Sequence, residues 1–188
     1  ENVVKLARMI GYTPKSARSA RTTVNVAVQT VFPYPKSVTM SAGLVLNFTG
    51  LDNNNFVFSI PTDITQSVDS LTGIATFNDT VLYEGLYLTD TFVKNTAERQ
   101  RFILTNERVD TTSLVVQVTS GTVTEKYLQA TDITKIDANS KVFFLEESEY
   151  QIPEILFGDG IVGKKLENGD VVTVKYTTSA GVGANGLK

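Results

Sequence analysis

The stretch Thr22-Thr23-Val24-Asn25-Val26-Ala27-Val28-Gln29-Thr30 sets the reading of the whole chain. Val24, Val26, Val28 and Thr30 alternate with Thr23, Asn25, Ala27 and Gln29, the period of two that gives a strand one buried face. Similar short runs follow at Leu44 to Phe48, Phe56 to Ile60, Ile74 to Phe77, Val81 to Leu88, Arg101 to Leu104, Leu114 to Val118, Thr122 to Leu128, Lys141 to Leu145 and Val171 to Thr177. Turn signals such as Asp52 to Asn55, Asn78-Asp79 and Asn168-Gly169 stand between them. Many short strands at close spacing predict a mainly β chain, built as antiparallel sandwich or barrel-like modules. After Gly11 no helical crossover of the length a parallel sheet requires is visible.

Only the start departs from this period. Val3, Leu6, Ala7 and Ile10 fall at i, i+3, i+4 and i+7, Glu1 and Lys5 make a favourable i,i+4 pair, and Gly11 with Pro14 supplies the stop. A short N-terminal helix within a lead-in segment, residues 1–20, is expected, and so short a helix must dock on something. Residues 21–188 then form the β domain, either one unit or two β modules with a seam near 106–112.

Composition bounds the function. The chain has 188 residues, 41% of them apolar and 20% charged, enough for a domain with a real core. No apolar run approaches the roughly 18 residues of a membrane span, so no membrane partner is expected. A net charge of -3 offers no basic field for nucleic acid. Without cysteine there are no disulfides or thiolate metal sites, which for a β-rich chain points to a reducing cytoplasm. Glu1 stands where Met would begin a chain and no leader follows it, so a piece of a longer protein is expected. Asn47 and Asn78 open Asn-x-Thr triplets, as chance supplies in a chain this rich in Asn and Thr.

The charges are unevenly placed. Lys5, Arg8, Lys15, Arg18 and Arg21 crowd the first residues, whereas Glu146, Glu147, Glu149, Glu154 and Asp159 form an acidic stretch with no base. The bland reading is two solvated faces. The sharper one makes Arg18, Arg21, Glu146, Glu147 and Glu149 assembly contacts between neighbouring subunits.

Phe157-Gly158-Asp159-Gly160-Ile161-Val162-Gly163 is the sharpest local pattern. Gly158, Gly160 and Gly163 match a dinucleotide-binding turn, but that chemistry needs a helix N-terminus directly after the glycines. Here Lys164 to Glu167 leads into Asn168-Gly169 and the strand Val171 to Thr177, which reads as strand, turn, strand. A kinase glycine loop would need Val where Lys165 stands and a catalytic histidine, and the chain has no histidine. Gly158, Asp159, Gly160, Gly163, Asn168 and Gly169 are therefore assigned to turn geometry, with Asn168-Gly169 as a two-residue type I′ hairpin. No cofactor or metal is expected, since Asp52 to Asn55 also lacks the alternating ligands of a calcium loop.

Catalysis has little to draw on. Without His or Cys, a carboxylate pair within Glu146, Glu147, Glu149 and Glu154 is the remaining candidate, and exposed acidic turns are far commoner than catalytic dyads. The chain reads as non-enzymatic, with no small-molecule substrate.

Three stretches carry a resemblance. One is Phe157 to Gly163, Lys164, Asn168-Gly169, Val171 to Tyr176, then Gly181 and Asn185-Gly186. Another is Leu6-Ala7, Ile10-Gly11-Tyr12 and Pro14-Lys15 before a strand; the third is Leu104-Thr105-Asn106, Val109-Asp110-Thr111 and Leu114 to Val118. In this order they resemble the baseplate J-like family, which includes the wedge protein of T-even-type contractile-tailed phages. Residues 32–100 carry no part of it. The resemblance implies a virion protein of the tail baseplate, assembled in the host cytoplasm, whose partners are other copies of itself and neighbouring wedge proteins. Three rivals stand beside it: a glycan-cleaving carboxylate enzyme, a β-sandwich adhesin or carbohydrate-binding module, and the equivalent protein of a phage-like contractile injection particle. The absence of Trp weakens the adhesin reading, since sugar faces favour aromatic platforms.

Overall fold

A computed structural model describes residues 16–49, 55–95, 100–148 and 152–181. The helix predicted between Val3 and Ile10 lies outside them. The strands are β1 (Arg21–Gln29), β2 (Ser37–Met40), β3 (Val45–Thr49), β4 (Asn55–Ser59), β5 (Ile64–Ser67), β6 (Ile74–Glu84), β7 (Tyr87–Val93), β8 (Arg101–Ile103), β9 (Val115–Ser120), β10 (Val123–Gln129), β11 (Val142–Glu147), β12 (Pro153–Phe157) and β13 (Val171–Thr177). Two short 3-10 helices, Thr111–Ser113 and Ile133–Lys135, interrupt them. The chain is mainly β, as its periodicity predicts.

It divides into two compact units, neither continuous in sequence. The first comprises residues 18–88 with 177–188, the second residues 1–17 with 89–176. Residues 106–112, the expected seam, all fall within the second unit. Their polar character has a local cause: the Asp110 carboxylate accepts the N–H and hydroxyl of Thr112, capping the 3-10 helix that follows.

In the first unit an antiparallel sheet, ordered β1-β6-β4-β3, and the pair β2-β5 contribute to one core. Met40, Phe58, Ile60, Ala75, Phe77 and Leu82 are buried there, and Val24, Val26, Val28, Val38, Leu46 and Ile64 pack against them. The valines of the alternating run thus face the core, as the period of two requires. Asn78-Asp79 is not a turn between strands. Val24 pairs with Thr80 and Val26 with Phe77, so Asn78 and Asp79 together oppose Asn25 in a bulge within the single strand β6. Asp79 takes a φ of +51°, and its N–H is satisfied by the Asn25 side chain at 2.8 Å.

The second unit holds the larger sheet, ordered β7-β13-β9-β10-β11-β12-β8. Its pairings are antiparallel except for a short parallel contact, Leu128 with Val142 and Gln129 with Phe143. That contact needs no long helix, because residues 130–141 provide the dozen or so residues of a crossover in mostly irregular form. The sheet curls until its end strands approach. Phe92 of β7 and Phe102 of β8 have ring centroids 5.3 Å apart, and the Asp90 carboxylate in β7 accepts the Thr105 N–H just beyond β8. The interior of this near-barrel is filled by Phe102, Val116, Tyr127, Phe143, Phe157, Val172 and Val174. Phe157 makes edge contacts with both Phe102 and Tyr127, each worth about 1 kcal/mol beyond area burial.

Candidate functional site

The glycine segment is a connection between strands that do not pair. β12 ends at Phe157 among β11 and β8, and β13 begins at Val171 between β7 and β9, so residues 158–170 carry the chain across the sheet as an irregular loop. A Cβ on Gly158 would lie 2.1 Å from the Gly163 carbonyl oxygen and 2.2 Å from its carbon. Gly158 does not sit at positive φ, so the demand there is for space. Gly160 and Gly163 take φ values of +91° and +84°, which side chains resist. The Gly160 N–H donates to the Gly163 carbonyl, and the Gly163 N–H donates to Asp137 of the neighbouring turn. Asp159 Oδ1 accepts the N–H groups of Val162 at 3.0 Å and Ile161 at 2.8 Å. These two bonds hold its carboxyl below the usual 3.8.

Asn168-Gly169 is a turn but not the predicted hairpin. The Asp170 N–H returns to the Glu167 carbonyl, yet only Gly169 has positive φ, which fits a type II turn and excludes type I′. The Asp170 carboxylate accepts the Glu167 N–H and the Ser120 hydroxyl, tying this turn to the end of β9. Residues 161–170 contain no helix, so no helix N-terminus stands ready for a pyrophosphate. Among the described residues no group of three or more His, Cys, Asp or Glu is placed to hold a metal ion. Asp52 to Asn54 lie outside the described residues.

The acidic stretch meets a base that sequence reasoning did not single out. Arg101 of β8 reaches Glu146 of β11 at 3.0 Å and Glu154 of β12 at 3.1 Å. Strand order brings them together, since β12 lies between β11 and β8. Glu154 is buried, and this burial raises its carboxyl above the usual 4.5, with Arg101 opposing and Glu146 adding to the shift. Of the other expected assembly contacts, Glu147 ends β11 and Glu149 lies outside the described residues. Arg21 opens β1 with its guanidinium 4.8 Å from the Tyr83 ring centroid, and the Arg18 carbonyl accepts the Ser179 hydroxyl.

A buried network was also missed. Asp90 accepts the Thr105 N–H and hydroxyl at 2.8 Å each and the Tyr176 hydroxyl at 3.0 Å. Burial pushes the Tyr176 phenol up, so it stays a donor. In the first unit, buried Glu84 plays a similar part by accepting the Ala180 N–H and the Ser179 hydroxyl.

The first unit also exposes apolar side chains in two places. Val31 at 84%, Phe32 at 79% and Leu71 at 88% exposure form an apolar tip where Thr30 bonds to Gly73. The edge strand β3 leaves Val45 41% and Phe48 38% exposed. No family model matches the chain, and no curated protein matches it.

Proposed function

We propose that the chain is a structural module of the baseplate J-like kind, a wedge building block of a contractile-tail baseplate acting through protein contacts and not catalysis. The observation that carries this reading is where two of the three resembling stretches fall. The stretches from Leu104 to Val118 and from Phe157 to Tyr176 both belong to the second unit, whereas residues 18–88, most of which carry no resemblance, belong to the first. These two stretches also meet. Tyr176 of one and Thr105 of another share the Asp90 carboxylate, while Ser16, directly after the N-terminal stretch, accepts the Thr111 N–H at 2.9 Å.

Residues matched for such reasons are scaffold residues. Gly158, Asp159 and Gly163 are each engaged in closing one loop, and a loop closed on itself is a building element. The second unit then corresponds to the family-like scaffold and residues 18–88 to a unit inserted in its sequence. Its partners are copies of itself and neighbouring wedge subunits, and its place is the virion tail baseplate. The test is co-purification. Tagged in the cells that make it, the protein should bring down sheath and tube proteins of a contractile particle. Hydrolysis of cell-wall or capsule polysaccharide by the purified chain would overturn the reading.

A further inference from the structure

We infer that the edge of β3, which no other described strand pairs, is a pairing site for a second copy of this chain, the two β3 strands running antiparallel about a two-fold axis centred on Asn47. The backbone fixes which groups are available. The Ile60 N–H donates to Leu44, and the Val57 carbonyl accepts from Gly85 on the far side of β4. Alternation therefore turns Leu46 and Phe48 toward β4 and leaves the N–H and C=O groups of Val45, Asn47 and Thr49 directed outward. An outward row of this kind is a template for another strand.

Edges are normally blunted by charge, proline or a bulge. The opposite edge of the same sheet is blunted by charge: β1 opens with Arg21, and β6 bulges against it opposite Asn25. β3 carries no charge or proline, and the bulge in which Gly43 and Leu44 together face Ile60 lies before it. Val45-Leu46-Asn47-Phe48-Thr49 is uncharged and free of proline, and its register with β4 runs unbroken from Val45 opposite Ser59 to Thr49 opposite Asn55. On the core-facing side Phe48 packs edge-on against Phe58 at 5.3 Å yet stays over one-third exposed. One more strand would cover it.

The edge itself selects the occupant. A strand pairing with β3 needs outward groups at alternate positions, no charge, and an apolar side chain beside Phe48. β3 meets all three conditions. Centred on Asn47, the two-fold sets Val45 opposite Thr49 and Leu46 opposite Phe48 of the partner subunit, with no like charges facing. Such a contact is isologous, so it closes as a dimer. It is also insensitive to salt, unlike a contact between the basic lead-in and the acidic stretch. The inference specifies the self-contact of the assembly reading, but it rests on the edge alone.

The test uses the absence of cysteine. A chain carrying Asn47→Cys presents one thiol, and two-fold pairing brings two such residues to a Cα separation of about 5.5 Å, within disulfide reach. Val45→Cys places its thiols about 13 Å apart across the axis, beyond reach. Under mild oxidation N47C should cross-link to dimer and V45C should not, while V45C mixed with Thr49→Cys should. Sedimentation of the cysteine-free protein should show a monomer–dimer equilibrium that Asn47→Lys weakens about tenfold and Thr22→Lys, on the blunted edge, leaves unchanged. A protein that stays monomeric, or a dimer untouched by N47K and not cross-linked at residue 47, would overturn the inference. Failure to co-purify with a contractile particle would overturn the baseplate reading and leave this result standing.

Discussion

Replacing Gly158 by alanine should open the loop that joins β12 to β13. The added carbon would sit 2.1 Å from the Gly163 oxygen, 1.3 Å short of the 3.4 Å at which ordinary contact begins. Nothing flexible can yield, because the clashing atoms are backbone. Gly163 is itself fenced in, since a Cβ there would lie 3.1 Å from the Val142 side chain, and its N–H is held by the Asp137 carbonyl at 2.9 Å. Overpacking of this kind costs about 1–3 kcal/mol, and losing the Gly160 or Gly163 backbone bond adds about 1 kcal/mol. A total near 3 kcal/mol corresponds to a fall of roughly 10 °C in melting temperature for a chain of this length. Gly160→Ala meets only the Lys165 Cβ at 3.6 Å, so its cost is the positive φ alone, about 1 kcal/mol. Asp159→Asn keeps an oxygen acceptor for the two amides and should cost less again. Thermal and urea denaturation of the three variants should rank them G158A, G160A, D159N. If G158A melts with the wild type, or if D159N loses binding of a nucleotide or metal, the assignment of this loop to backbone geometry is wrong.

Two further outcomes follow from the buried groups. Tyr176→Phe removes a hydroxyl bonded to the Asp90 carboxylate at 3.0 Å and should destabilise the second unit by about 2 kcal/mol in urea titrations, with Thr105 still serving Asp90. Because the Glu154 carboxyl is raised by burial, its contribution to stability is full below the unfolded value near 4.5 and is lost as pH rises through the folded value. Melting temperatures of Glu154→Gln, relative to wild type, should accordingly improve from pH 4.5 toward neutrality; a relative decline would show that the Arg101 attraction outweighs burial.

Periodicity made most of the fold legible where a strand has one wet face. Val24, Val26 and Val28 announced β1 because solvent lies on its other side. β12 carried no such signal, since Pro153, Glu154 and Ile155 are all buried and alternation disappears when both faces are covered. β2 and β5 are four residues each, too short for a period to register. Asn78-Asp79 misled because a bulge and a turn draw on the same residues, those that tolerate positive φ. The glycine loop was recognisable as geometry, yet the greater demand falls on Gly158, because the Gly163 carbonyl that crowds it is held both by the Gly160 N–H and by the bond of Gly163 to Asp137, a partner no local motif shows. Arg101 gave no warning of its role: its partners Glu146 and Glu154 reach it through strand order, which no local motif encodes. The charge-free run through β3 was visible, but without the sheet order it could not be known to lie at an edge.

The central claim is that this chain is part of a contractile-tail baseplate. Electron microscopy of particles from the cells that make it, labelled with gold-conjugated antibody raised against this chain, tests that claim most directly. Label confined to the baseplate end of sheathed tails is the predicted result; label on the cell surface, or on no contractile particle at all, would contradict it.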